Sequence, residues 1–233
     1  MLLRERDVIR YMDISEYNIE EILRYLRIRG EAPDELRAQV ERVAAELSES
    51  LKPKYLYRAF PIERTGQGVC LVGSGVTLPG ILAEKMLATC DTVLLLACTL
   101  GIEFERRLRT LEKRDMGEAV ILDACGSAWV ESGCGMAERE IAGRFAERYL
   151  TDRFSPGYGD LPLALQPAVL AALNAEKFLG IHVGESFLMT PSKSVTAVIG
   201  VSDEPQPARV RGCADCVRNK TCELRKGGMS CAV

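Results

Sequence analysis

The chain has 233 residues, with 30 basic and 33 acidic side chains and a net charge of −3. That near balance leaves no electrostatic footprint for nucleic acid or for an anionic membrane surface. No apolar run approaches the roughly 18 residues of a membrane span, and the start, Met1-Leu2-Leu3-Arg4-Glu5-Arg6-Asp7, becomes charged too soon for a signal peptide.

In chain order, residues from Asp7 to Arg27 are expected to be helical in pieces. Pro33 and Asp34 then open a helix whose apolar residues Leu36, Val40, Val43, Leu47 and Leu51 recur at helical spacing. Tyr55 to Phe60, Val69 to Val72 and Thr92 to Cys98 read as strands. The last is continuously apolar, which predicts a central place in a sheet. Gly73-Ser74-Gly75-Val76-Thr77-Leu78-Pro79-Gly80 lacks both the phosphate-loop ending and the third glycine of a dinucleotide fingerprint, and reads as a turn leading into a short helix over Ile81 to Ala88.

Val120 to Leu150 is the longest helical stretch and contains Gly126, Gly133 and Gly135. Each glycine costs a helix interior about 1 kcal/mol, so these predict close packing against a neighbour, or a kink. Pro167 to Phe178 is a further helix. His182, the only histidine, is expected at a strand edge in a structural role. Phe187 to Met189 and Ser194 to Val201 read as strands, paired around Pro191-Ser192. Helices and strands are interspersed without regular alternation, which predicts an α+β fold rather than a doubly wound sheet.

Nine cysteines, an odd number, point to a reducing compartment, and the chain is expected to be cytoplasmic. Cys70, Cys90, Cys98, Cys125 and Cys134 sit in apolar contexts and read as core thiols. The other four follow a Pro-rich linker over 204–212, in a polar tail spanning 213–233. Cys213, Cys216, Cys222 and Cys231 give C-x2-C-x5-C-x8-C. Four thiolates at that spacing suit zinc or an iron–sulfur cluster; the alternative is an unstructured tail with free thiols.

The most informative segment is Arg153-Phe154-Ser155-Pro156-Gly157-Tyr158-Gly159-Asp160-Leu161-Pro162. Pro-Gly predicts a tight turn, holding Arg153 and Tyr158 on either side of a rigid bend. A guanidinium grips a carboxylate with two hydrogen bonds, and a tyrosine offers a stacking face. Together they suit a small zwitterion with an aromatic part; the structural alternative is a helix-ending turn with an ordinary ion pair.

Arg-x-x-x-Gly-Tyr followed by proline resembles the S-adenosylmethionine-binding motif in the activation domain of vitamin B12-dependent methionine synthase. Cys90 to Gly101, Asp123 to Glu131, Glu185 to Val195 and Tyr11-Met12-Asp13 resemble other segments of that family. The likeness covers roughly residues 5 to 203, which makes 1–203 the expected domain. It implies a twisted, mainly antiparallel sheet flanked by helices.

The resemblance implies that Arg153 holds the ligand carboxylate, that Tyr158 and Gly157 complete the motif, and that main-chain groups around Ser155 lie near the adenine. It assigns Asp13 to the methionyl amino group and Glu147 to an acidic position of the family, with Glu131 and Glu185 as further acidic matches. Carboxylates suit the ligand because it carries a sulfonium and an ammonium. One departure is that Val198 or Ile199 stands where the family has an aromatic residue.

The implied function is reactivation: S-adenosylmethionine and one electron restore cobalamin that has been oxidised to the inactive state. The family's Asp-x-His-x-x-Gly cobalamin signature is absent, since Gly180 stands two places before His182. The chain therefore reads as a stand-alone module serving a separate cobalamin-binding methionine synthase or corrinoid methyltransferase. Flavodoxin, ferredoxin or the cysteine tail would supply the electron. Two other readings are a non-catalytic docking partner of a corrinoid protein and a redox protein using a metal-bound tail. If the chain is an enzyme, it is a component of the methyltransferase system.

Overall fold

The structure is a computed structural model and describes residues 9–12 and 18–207. Two compact units share the chain. The first takes the described residues up to Leu56, with Ala97–Glu140 and Asn174–Val195; the second takes Tyr57–Leu96, Ile141–Leu173 and the described residues from Thr196 onward.

Nine strands are present among the described residues: β1 (Arg10–Tyr11), β2 (Lys54–Thr65), β3 (Gly68–Leu71), β4 (Val76–Leu78), β5 (Cys90–Thr99), β6 (Tyr149–Leu150), β7 (His182–Val183), β8 (Met189–Thr190) and β9 (Ser194–Ser202). Seven of them form one sheet in the order β4-β3-β2-β5-β9-β6, with β1 on β2, while β7 and β8 form a separate pair. The pairs β1–β2, β2–β3, β3–β4, β6–β9 and β7–β8 are all antiparallel. Among the described residues, seven α-helices flank this mainly antiparallel sheet, an α+β fold as expected.

In the first unit, α1 (Ile19–Tyr25) starts at Asn18, whose side chain accepts from the Glu21 amide. α2 (Asp34–Ser50) follows Pro33 and buries Val40, Val43, Ala44 and Leu47 on one face. α4 (Ile102–Glu112) buries Phe104 and Leu108. α5 (Met116–Arg144), which belongs to this unit as far as Glu140, is the longest helix among the described residues and is interrupted by none of its glycines. A Cβ at Gly126 would lie 2.2 Å from the Phe104 ring, and one at Gly133 would lie 3.0 Å from Pro53 and 3.2 Å from both Cys98 and Met12. Close packing therefore explains those two glycines. It does not explain Gly135, where a Cβ would meet only the end of Arg139 at 3.8 Å.

In the second unit, α3 (Ile81–Met86) and α6 (Gln166–Leu173) accompany the sheet, and a short 3-10 turn covers Leu163–Leu165. Arg64 reaches from β2 to donate to the carbonyls of Leu87, Ala88 and Cys90 just past α3. A guanidinium there offsets the partial negative charge of a helix C-terminus.

Several expectations are corrected. Arg10–Tyr11, within the stretch read as helical, pairs with Lys54–Tyr55 as a strand. The glycine-rich turn after Leu71 leads into β4, not straight into a helix, because Val76–Leu78 folds back to pair with β3. The long helix ends at Arg144, and Tyr149–Leu150 joins β9. The helix read over Pro167 to Phe178 breaks at Asn174, which sits at φ +52 before α7 (Ala175–Leu179). Asparagine tolerates that left-handed geometry better than most residues. Met189–Thr190 pairs with His182–Val183 instead of with β9. His182 does stand at a strand edge, 3.3 Å from Glu176. Cys90, Cys98, Cys125 and Cys134 are buried, while Cys70 is half-buried.

No helix among the described residues is long and apolar enough to cross a membrane.

Candidate functional site

The Arg153–Pro162 segment runs from the end of β6 to the 3-10 turn, entirely within the second unit. Its first half lies along β9. Thr151 donates its amide to the Gly200 carbonyl at 3.0 Å, and the Gly200 amide returns to the Thr151 hydroxyl at 2.8 Å. Phe154 and Val198 exchange both main-chain bonds, at 3.1 and 2.7 Å. The Ser155 hydroxyl donates to the Thr196 carbonyl at 2.7 Å.

The expected bend follows. The Tyr158 amide donates to the Ser155 carbonyl at 3.0 Å, closing a turn with Pro156 second and Gly157 third. Gly157 has φ +90, the conformation a type II turn requires at that position. A second turn is closed by the Leu161 amide on the Tyr158 carbonyl, also at 3.0 Å. Arg153 and Tyr158 are both half-buried and flank the bend.

Two further contacts hold this segment, and the sequence reading did not single them out. Asp160 accepts hydrogen bonds from the amides of Ile81 and Leu82. Gln166, 2 % exposed, exchanges two hydrogen bonds with the Thr196 hydroxyl, at 2.9 and 3.1 Å. Thr196 thus serves Gln166 through its side chain and Ser155 through its carbonyl. A buried glutamine beside Pro167 carries no sequence signal. Asp160 stood inside the motif, where an exposed turn acid looks ordinary.

The structure gathers Arg153, Ser155, Gly157 and Tyr158 in one anchored turn. Glu147 lies elsewhere, exposed in the turn after α5 and before β6. Its neighbour Arg148 is held between Asp91 and Asp203, at 2.8 and 2.7 Å. Burial alone would raise the Asp91 carboxyl, but Arg148, together with hydrogen bonds from Thr92 and the backbone, outweighs it and holds the group below its ordinary value. Glu147 therefore stands at the Ser202 end of the ladder with β9, and Tyr158 stands beyond the Val198 end. Four residues of strand separate those ends, about 13 Å. Asp13 and the four tail cysteines lie outside the described residues, and no metal-holding cluster of His, Cys, Asp or Glu occurs among the described ones.

Of the remaining acidic matches, Glu131 is half-buried on α5, and its charge, after burial itself, helps raise the Tyr25 hydroxyl above its ordinary value. Glu185 is exposed in the turn between β7 and β8.

No protein-family model matches the chain, and no curated protein matches it. Among solved structures, a crystal structure of the MetH reactivation domain bound to AdoHcy is similar at a TM-score of 0.62. The likeness covers 97% of this chain and 87% of that one, at 18% sequence identity. The fold is that of the MetH reactivation domain. Val198 and Ile199, the two residues that the resemblance sets against an aromatic position of the family, are both buried. Val198 is committed to the main-chain bridge with Phe154.

Proposed function

We propose that this protein binds S-adenosylmethionine and supports the reductive methylation of cobalamin held by another polypeptide, a cobalamin-dependent methionine synthase or a corrinoid methyltransferase. The observation that carries this reading is the Arg153–Tyr158 turn, fastened to β9, in a fold that holds AdoHcy in the solved reactivation domain.

The chain's contribution is to hold and orient the methyl donor. Arg153 supplies the bidentate cation for its carboxylate, and Tyr158 a face for stacking. Main-chain groups around Ser155 and Gly157 are fixed before the ligand arrives, which lowers the cost of binding. Asp13 and Glu147 complete the set in this reading, offsetting the ammonium and the sulfonium. Methyl transfer needs no acid or base from the chain; positioning is what the protein adds. The corrinoid is assigned to a partner because the single histidine lies outside any Asp-x-His-x-x-Gly pattern. Cys213, Cys216, Cys222 and Cys231 are proposed to hold zinc or an iron–sulfur cluster, with a flavodoxin or ferredoxin as the other source of the electron.

The test is calorimetric titration of the purified chain with S-adenosylmethionine and with AdoHcy, followed by addition of a cobalamin methyltransferase and a reductant. Saturable binding and partner-dependent methylation are expected. Absence of S-adenosylmethionine binding overturns the reading and favours a docking protein with a vestigial groove.

A further inference from the structure

Asp160 stands two residues after Tyr158, where the proposed ligand turn meets α3. Its Oδ2 accepts from the Ile81 amide at 2.7 Å and its Oδ1 from the Leu82 amide at 3.0 Å. Those are first-turn amides of α3, which have no partner within the helix. Helix caps usually come from the residue just before the helix. Here that residue is Gly80, which has no side chain to offer, and the acceptor is Asp160, 79 positions from Ile81 and 78 from Leu82 in sequence.

Two glycines make the approach feasible. Gly80 has φ +96, and a Cβ there would lie 2.8 Å from the Asp160 carboxyl carbon. Gly159 has φ +58, and its Cβ would lie 2.7 Å from Leu82 Cδ2. Both backbones are bare where they close around one carboxylate. Asp160 itself sits inside the turn that the Leu161 amide closes on the Tyr158 carbonyl. Fixing its side chain fixes the main chain on the far side of Tyr158, just as Phe154 and Ser155 fix the near side.

We propose that Asp160 is a positioning residue for Tyr158, locking the proposed S-adenosylmethionine turn onto α3 so that the ring is set before the ligand arrives. The inference rests on the ligand reading given above. It assigns to Asp160 no contact with the ligand. The carboxylate acts through the bend, and its loss lets the Gly157–Leu161 stretch sample other conformations, which binding must then suppress.

The experiment compares wild type, Asp160→Ala, Asp160→Asn and Glu84→Gly, the last weakening α3 while leaving the clasp in place. S-adenosylmethionine Kd is measured by calorimetry well below each variant's melting temperature. Hydrogen exchange is followed at the Tyr158, Ile81 and Leu82 amides of the ligand-free proteins. Asp160→Ala should raise Kd about tenfold, the scale of one lost cap, with faster exchange at all three amides. Asp160→Asn, which keeps one acceptor, should fall between Asp160→Ala and wild type, and it serves as the test if the alanine variant does not fold. Glu84→Gly should leave Kd unchanged. A native Asp160→Ala or Asp160→Asn protein with wild-type Kd overturns the inference, as does an equal loss in Glu84→Gly. Failure of the wild type to bind is a separate result: it removes the ligand reading and this inference with it.

Discussion

The ring of Phe104 on α4 fills the place that a side chain at Gly126 on α5 would occupy. The two helices of the first unit meet there through a ring set against bare backbone. Gly126→Ala should therefore lower stability by about 2 kcal/mol, because overpacking a fixed ring outweighs the gain in helix propensity. Gly135→Ala on the same helix meets only the end of the Arg139 side chain, at ordinary contact distance, and should raise stability by up to about 1 kcal/mol. Urea unfolding of both variants checks the contrast, and a stabilised Gly126→Ala would show that the ring moves aside freely.

At the candidate site, Arg153→Ala should weaken S-adenosylmethionine binding by about 2–4 kcal/mol, since it leaves a desolvated carboxylate without its partner. Arg153→Lys should recover only part of this, because a lysine cannot make the paired bonds. Ser155→Ala should cost about 1 kcal/mol by freeing the turn from the Thr196 carbonyl. Unchanged dissociation constants in all three would remove the site assignment.

Glu105 provides a pH test in the first unit. Burial alone would raise its carboxyl, but the Ser192 amide and hydroxyl, with Arg109, outweigh burial and hold it below the ordinary 4.5. A group depressed in the folded state adds stability above its unfolded value, and that stability is lost as pH falls through the folded one. Glu105→Gln should thus be about 1 kcal/mol less stable than wild type at pH 7. The gap should shrink as pH drops below 4.5, measured by denaturant unfolding at both ends.

Much of this architecture was legible in the sequence where one physical signal dominated. The continuous apolar run of β5 marked a strand between two neighbours, and Pro33-Asp34 marked the start of α2. The turn at Pro156-Gly157 could be read because only glycine suits its geometry. What escaped notice depended on partners far away in the chain. β4 is three residues long and exists because β3 pairs with it. Arg10–Tyr11 is extended only because β2 lies beside it. Asp160 and Gln166 gain their meaning from residues 81, 82 and 196, which no local pattern links to them.

Burial pushes the Cys125 thiol up to about 12, which leaves almost no thiolate at pH 8. In the native protein, Cys125 should stay unmodified by iodoacetamide while half-buried Cys70 reacts first among Cys70, Cys90, Cys98, Cys125 and Cys134. Peptide mapping after timed alkylation reads both. Rapid labelling of Cys125 below the unfolding transition would mean that α5 opens readily.

The tail gives the last prediction. Truncation after Pro207 keeps the bond from Gln206 to Thr89 and should leave S-adenosylmethionine binding and thermal stability nearly unchanged. Metal analysis of anaerobically purified full-length protein should find zinc or iron, lost on truncation. Equal metal content in both proteins would rule out the four tail cysteines as ligands.

Thr196 uses two chemically separate groups, a hydroxyl for Gln166 and a carbonyl for Ser155. A laboratory library can therefore vary its side chain without deleting the acceptor that anchors the turn, since every amino acid brings the same carbonyl. Residues 166 and 196 can be randomised together to reshape the packing behind the bend, while Ser155 is kept constant. Selection on the proposed ligand binding could then search new packings behind the bend without first having to rediscover the turn.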